Sequence, residues 1–170
     1  MGLRKHIPNT VTCLNLISGA VAVIMAFQDR LDAALGFIIL AAAFDFLDGL
    51  TARALNAYWE IGKELDSLSD TASFGPAPSL THSNYLDGVT TGVPAYVCYF
   101  PLILAAFTAV RLAKFNIDTR QSENFLGLPV PASGLCAASL AAFAGHYEHI
   151  ANTFLANNLT IPIVTIINSI

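Results

Sequence analysis

Four aspartates, arranged as two pairs at helical spacing, are the residues of this chain best suited to chemistry. The stretch reads Asp45-Phe-Leu-Asp48-Gly49-Leu-Thr-Ala52-Arg53, then eight residues to Gly62, then Lys63-Glu-Leu-Asp66-Ser-Leu-Ser-Asp70. On a helix, Asp45 and Asp48 stand three residues apart and share a face. Asp66 and Asp70, four apart, share a face of the next helix. Asp45 and Asp48 also follow the apolar run Ala33–Phe44, at the end of a segment with membrane character. Acids in a membrane are costly and face a polar cavity, a partner or an ion. Four carboxylates brought together cannot all stay ionised without cations. An oxygen-only ligand set suits hard divalent ions such as Mg2+, Mn2+ or Ca2+. The simpler alternative, helix-end acids facing water, leaves the paired spacing on two consecutive segments unexplained.

Composition sets the elements that must position these acids. Of 170 residues, 55% are hydrophobic and only 12% charged, about half the charged share of a soluble domain, and the mean hydropathy is +0.60. With long uncharged runs, this predicts an all-α, polytopic membrane bundle. Allowing about 20 residues per span, the length fits one domain, residues 1–170, of about six transmembrane helices. The formal net charge of −4 includes the four acids of the cluster. Bound divalent ions would cancel it, so it argues for neither acidic nor basic partners, and no nucleic-acid partner is expected. Cys13, Cys98 and Cys136 lie in apolar runs, odd in number and without metal-type spacing. They read as small membrane hydrophobes rather than disulfide partners.

Along the chain, Arg4, Lys5 and His6 precede an apolar run from about Val11 to Phe27. The small triplet Ala20-Val21-Ala22 lies inside that run, which argues for a retained first span over a cleaved signal peptide. Asn9, Thr12 and Asn15 recur at helical spacing, a polar stripe that either bonds neighbouring helices or faces a cavity. The second span is expected from Leu31 to about Leu55, with Asn56–Ile61 as a connector. A third is expected from Leu65 to about His82, interrupted by Gly75-Pro76-Ala77-Pro78 and followed by a polar loop, Ser83 to Gly92. A fourth runs from Val93 to Val110, with Arg111, Lys114 and Asn116 just after it. A fifth starts at Ala132 and continues to about Gly145. His146 and His149 fit a solvated membrane-edge loop better than a metal pair. Ile161–Ile170 is only half a span long, so a last helix would be incomplete. With a cytoplasmic N-terminus, Arg4, Lys5, Arg53, Lys63, Arg111, Lys114 and Arg120 would all lie on the cytoplasmic side and only Arg30 outside.

The acidic stretch carries a resemblance. D-x2-D-G-x2-A-R-x8-G-x3-D-x3-D is similar to the signature of the CDP-alcohol phosphotransferases, integral membrane enzymes of phospholipid synthesis. Asp45, Asp48, Gly49, Ala52, Arg53, Gly62, Asp66 and Asp70 fill every fixed position. Two further stretches, Arg111-Leu-Ala-Lys114-Phe-Asn116 and Asn124-Phe-Leu-Gly-Leu-Pro129-Val-Pro131-Ala, resemble the type-II phosphatidylserine synthases, as does Gly62 to Pro78. Lys114 stands where an arginine is also common.

The resemblance implies transfer of the phosphatidyl group of CDP-diacylglycerol to the hydroxyl of L-serine, releasing CMP. It implies divalent metal on Asp45, Asp48, Asp66 and Asp70, with Asp70 doubling as the base. Nucleotide contacts fall to Asp48, Gly49, Ala52, Arg53, Gly62 and Asp66, with Asn9 and Thr12 of the first span beside them. Arg111, Lys114 and Asn116 would hold the serine carboxylate or the donor phosphate; as span-end cations, Arg111 and Lys114 equally suit plain topological anchoring. A homodimer in the cell membrane, with its site towards the cytoplasm, is also implied. A sibling enzyme with glycerol 3-phosphate or inositol phosphate as acceptor stays open. An ion or proton transporter using its membrane acids as a relay is the reading from another class.

Overall fold

The computed structural model describes residues 6–55, 60–89, 95–117 and 129–146. Six α-helices and one 3-10 helix account for nearly all of them: α1 (His6–Phe27), α2 (Leu31–Ala54), α3 (Glu60–Phe74), α4 (Pro76–Val89), the 3-10 segment (Ala95–Leu102), α5 (Ile103–Ile117) and α6 (Val130–His146). No strand occurs among the described residues.

The packing logic is that of a membrane protein. Around a few large residues such as Phe74 and Ile38, much of the buried face is small or polar: Ala22, Ala34, Ala41, Ala77 and Ala138, with Asn15, Ser69, Ser73, Ser79 and Thr81. Large apolar side chains such as Ile17, Ile24, Phe27, Ile39, Phe46, Leu68 and Phe143 point outward. Small residues let helix backbones approach, and hydroxyls can bond carbonyls across the seam. An outward apolar belt of this size does not suit water. Ile7–Phe27, Leu31–Ala54 and Tyr96–Ile117 are each long and apolar enough to cross a bilayer, and Val130–Gly145 is a shorter apolar helix. The protein is an integral membrane protein with three such spans among the described residues. The remaining segments that would bring the expected count to about six include residues 147–170, outside the described residues.

Three local expectations are corrected. The expected third span is two helices: α3 begins at Glu60 and ends at Phe74, and α4 starts at Pro76. Proline lacks the N–H that would continue the ladder and pre-sets the first turn of a new helix, so Gly75-Pro76 is where the chain changes direction. Residues 83–89 of the expected loop Ser83–Gly92 are helical. Their polar side chains bond inward: Ser83 Oγ donates to the Cys98 carbonyl at 2.6 Å, and Asn84 Nδ2 donates to the Ala26 carbonyl. The expected fourth span instead has a 3-10 start, where Pro101 removes a donor, and α5 runs on to Ile117. Arg111, Lys114 and Asn116 are therefore on a helix, with fixed directions, rather than after one.

α1 is central to the site's placement. It packs along α2 and α3, while α4 packs against α6 and the 3-10 segment. A Cβ at Gly19 would lie 2.5 Å from the Ser73 Cα, so glycine there allows α1 and α3 to meet at backbone distance. The last turns of α2 and the first turns of α3 thus come together against the start of α1.

Candidate active site

The two acid pairs converge. One carboxylate oxygen from each of Asp45, Asp48 and Asp66 falls within 4.8 Å of the other two. Asp48 is buried, and its Oδ2, like Oδ1 of Asp66, has no hydrogen-bond partner. Buried carboxylate oxygens without a donor cost several kcal/mol at the order-of-magnitude level unless something positive faces them. An all-oxygen set with open valences fits a hard divalent cation and excludes the softer nitrogen and sulfur preferences of zinc or copper sites. Asp70 is set apart from this trio. It lies beside Asp45, and its Oδ1 accepts a 3.1 Å hydrogen bond from Asn15 Nδ2 on α1.

These acids line a cavity of about 460 Å3. Asp45, Asp48, Gly49 and Arg53 enter it from α2; Lys63, Asp66, Ser67 and Asp70 from α3; Arg111, Lys114 and Asn116 from α5; Pro129, Val130 and Pro131 at the start of α6. Phe46, Leu50, Leu112 and Phe115 supply apolar wall. Acids and four cationic side chains, Arg53, Lys63, Arg111 and Lys114, therefore share one space. Arg111 Nη1 is buried without a hydrogen-bond partner, a guanidinium donor left open beside the cavity.

The remaining candidate residues take different places. A Cβ at Gly49 would meet no protein atom within 4 Å, so nothing in the protein's own packing demands glycine there. At Gly62 a Cβ would come within 3.3 Å of Asn9 Oδ1, which brings α3 and α1 together at that point. Gly62, Ala52, Asn9 and Thr12 do not line the cavity. Thr12 is buried beside Asp48, its hydroxyl donating to the Pro8 carbonyl at 3.1 Å. Asn116 is engaged with α3: its Nδ2 donates to Ser67 Oγ at 2.9 Å, and Lys63 Nζ donates to its carbonyl at 3.5 Å. Lys63, legible only as a cation on the cytoplasmic side, and Ser67 occupy variable positions of the motif, next to Gly62 and Asp66. Asn15 was legible only as one member of the polar stripe.

A metal-competent acid trio facing four cations across one cavity, at the end of membrane helices, defines a membrane-embedded site for phosphate chemistry. The family model for CDP-alcohol phosphatidyltransferase matches residues 5–166, and the chain belongs to that family of phosphotransferases. It is 36% identical over 142 residues to the CDP-diacylglycerol–serine O-phosphatidyltransferase of Bacillus subtilis (strain 168), covering 81% of this chain and 76% of that one. It is 33% identical over 156 residues to the archaetidylserine synthase of Methanothermobacter thermautotrophicus, covering 88% of this chain and 63% of the relative. A CDP-diacylglycerol–serine O-phosphatidyltransferase of Helicobacter pylori (strain J99) is 33% identical over 130 residues, 75% of this chain and 54% of the relative. The chain thus spans from 54% to 76% of the length of these three. Family membership sets aside the transporter reading.

Proposed function

We propose that this protein transfers the phosphatidyl group of CDP-diacylglycerol to the hydroxyl of L-serine, giving phosphatidylserine and CMP. The observation that carries the reading is the shared cavity, in which an oxygen-rich acid trio faces Arg53, Lys63, Arg111 and Lys114. The names of the relatives support serine as acceptor. Asp45, Asp48 and Asp66, with Asp70 adjacent, would hold a divalent ion, Mg2+ or Mn2+ in this reading, which supplies positive charge against the diphosphate.

The residues divide the remaining work. Gly49 leaves open space at the cavity wall for the nucleotide, and Arg53 lies in reach of phosphate. Asp70, outside the trio and bonded to Asn15, is placed to take the serine hydroxyl proton. The hydroxyl oxygen then bonds to the phosphorus bearing diacylglycerol, the bond from that phosphorus to the CMP oxygen breaks, and CMP leaves. Arg111 and Lys114 hold the serine carboxylate or the donor phosphate; a guanidinium with an open donor suits either. Asn9, Thr12, Ala52 and Gly62 act behind the cavity wall, where α1 meets α2 and α3 beneath the nucleotide.

The same reading places the site at the cytoplasmic face. Four cations gather at the cavity end, while Arg30 precedes the opposite end of α2, a helix of 24 residues and about 36 Å. A single domain over residues 1–170, about six spans and a homodimer complete the reading, on family resemblance. The test is purified protein with CDP-diacylglycerol, radiolabelled serine and Mn2+ or Mg2+, with glycerol 3-phosphate and inositol phosphate as competing acceptors. Serine label in the lipid fraction with stoichiometric CMP is expected. Label from a phosphorylated acceptor in place of serine overturns the choice of acceptor.

A further inference from the structure

Asn15 is a fully buried polar side chain in the middle of an apolar helix, and its environment is unusual. Its Nδ2 donates to Asp70 Oδ1 at 3.1 Å, while its Oδ1 has no hydrogen-bond partner. Against an ionised carboxylate only the amide N–H can bond, so the chemistry itself sets the orientation of the carboxamide. An asparagine kept merely for packing would carry a needless cost in that orphaned oxygen, which an apolar side chain of the same size avoids.

The backbone around Asn15 is pinned. Ser69 Oγ donates to the Thr12 carbonyl at 3.0 Å, and Ser73 Oγ donates to the Asn15 carbonyl at 3.2 Å. These two serines, four residues apart on α3, flank Asp70 and fix the register of α1 against it. Gly19, one turn further on, removes the side chain that would hold the helices apart at Ser73. The seam delivers the Asn15 amide to one oxygen of one acid only.

We infer that Asn15 is a positioning residue for Asp70. Its N–H fixes one carboxylate oxygen of Asp70, whose carboxylate also meets Asp45, and so sets the orientation of the acid on the cavity wall where the acceptor hydroxyl must give up its proton. The inference rests on the reading of Asp70 as the base. A second group that orients a functional carboxylate typically changes activity or metal affinity by roughly 10–100-fold when removed.

The experiment compares wild type, Asn15→Leu, Asp70→Asn and the double variant as full chains, with Ser79→Ala as a control that removes a buried hydrogen bond, Ser79 Oγ to the Gly75 carbonyl, away from Asn15 and Asp70. Three quantities are measured: single-turnover phosphatidylserine formation at enzyme excess, the apparent KM for serine, and Mn2+ binding followed by electron paramagnetic resonance. Asn15→Leu should slow turnover by roughly 10–100-fold while the serine KM stays within about twofold. Added to Asp70→Asn, it should cause no further loss, because residues acting through one another are non-additive. Ser79→Ala should keep its turnover. Additive losses in the double variant, an equal loss in Ser79→Ala, or unchanged turnover in Asn15→Leu overturns the inference. Should Asn15→Leu melt far below wild type without metal, Asn15→Ala repeats the comparison. If Asp70→Asn retains full turnover, the base reading itself fails; if it loses turnover while Asn15→Leu does not, only this inference fails.

Discussion

Ser67 and Asn116 are tied to each other across α3 and α5: Asn116 Nδ2 donates to Ser67 Oγ at 2.9 Å, and Ser67 Oγ donates to Asn116 Oδ1 at 3.3 Å. Ser67 follows Asp66 in the chain, and Asn116 stands on the same helix as Arg111 and Lys114. The pair therefore links the wall that carries the acids to the wall that carries the cations. Asn116→Leu removes the bonds while keeping the volume. Losing a net contribution of about 1 kcal/mol at this tie should raise the apparent KM for serine about fivefold, with Mn2+ binding unchanged. Ser67→Ala should match it, and the double variant should be no worse than either single one. Additive losses would show that the two side chains act separately.

Metal dependence follows from the orphaned oxygens of Asp48 and Asp66. Chelation by EDTA should abolish turnover, and Mn2+ or Mg2+ should restore it. The same ions should raise the melting temperature of the detergent-solubilised protein, since a ligand at about 100 times its Kd stabilises the folded state by roughly 2.7 kcal/mol. Full turnover in a chelated sample would remove the metal from the mechanism.

The acid cluster was legible in the sequence because helical spacing alone puts Asp45 with Asp48 and Asp66 with Asp70 on shared faces. The start of α2 was legible for a similar reason: the apolar run Ala33–Phe44 follows the polar stretch Gln28 to Asp32. The segment Ser83–Val89 was not. Its serine and asparagine read as loop residues, yet they are satisfied by the carbonyls of Cys98 and Ala26, partners 15 and 58 residues away. Hydropathy cannot register a polar group that is bonded inside the bundle. Asn15 and Ser67 were hidden in the same way, since what gives them meaning is a partner 55 or 49 residues distant. Pro76 was visible as an interruption of the third span, but whether it ends the span or only bends it depends on the packing around it.

Arg111 tests acceptor recognition. Its open Nη1 beside the cavity suits a carboxylate or a phosphate, and the two cases predict different parameters. If it holds the serine carboxylate, Arg111→Ala should raise the serine KM by tenfold or more, about 1.4 kcal/mol, and ethanolamine, which lacks that group, should be a poor acceptor. If it holds donor phosphate, the KM for CDP-diacylglycerol should rise instead. Both parameters within about twofold of wild type would leave Arg111 as a topological anchor.

Gly49 separates folding from binding. A methyl group there meets no protein atom within 4 Å, and alanine is favoured over glycine inside a helix by about 1 kcal/mol. Gly49→Ala should therefore melt at or above the wild-type temperature. If the nucleotide docks against that backbone, the same change should weaken CDP-diacylglycerol binding, measured at equilibrium in the presence of metal. Higher stability with unchanged affinity would move the nucleotide away from this turn of α2.

The proposed roles of ligand and base follow the geometry: Asp48 belongs to the trio within 4.8 Å, whereas Asp70 accepts a hydrogen bond from Asn15. Asparagine keeps the size of aspartate and one oxygen but cannot take a proton at neutral pH. Asp70→Asn should bind CDP-diacylglycerol in the presence of metal yet lose the chemical step by roughly 10²–10⁴-fold, the usual contribution of a general base. Asp48→Asn should instead weaken metal-dependent binding itself, and excess metal should recover part of its rate. Equilibrium binding of the CDP-lipid and single-turnover phosphatidylserine formation, each across a metal titration, distinguish the two. If Asp70→Asn loses binding as severely as Asp48→Asn, and excess metal rescues both to the same degree, Asp70 is a fourth ligand and the proton goes to another group.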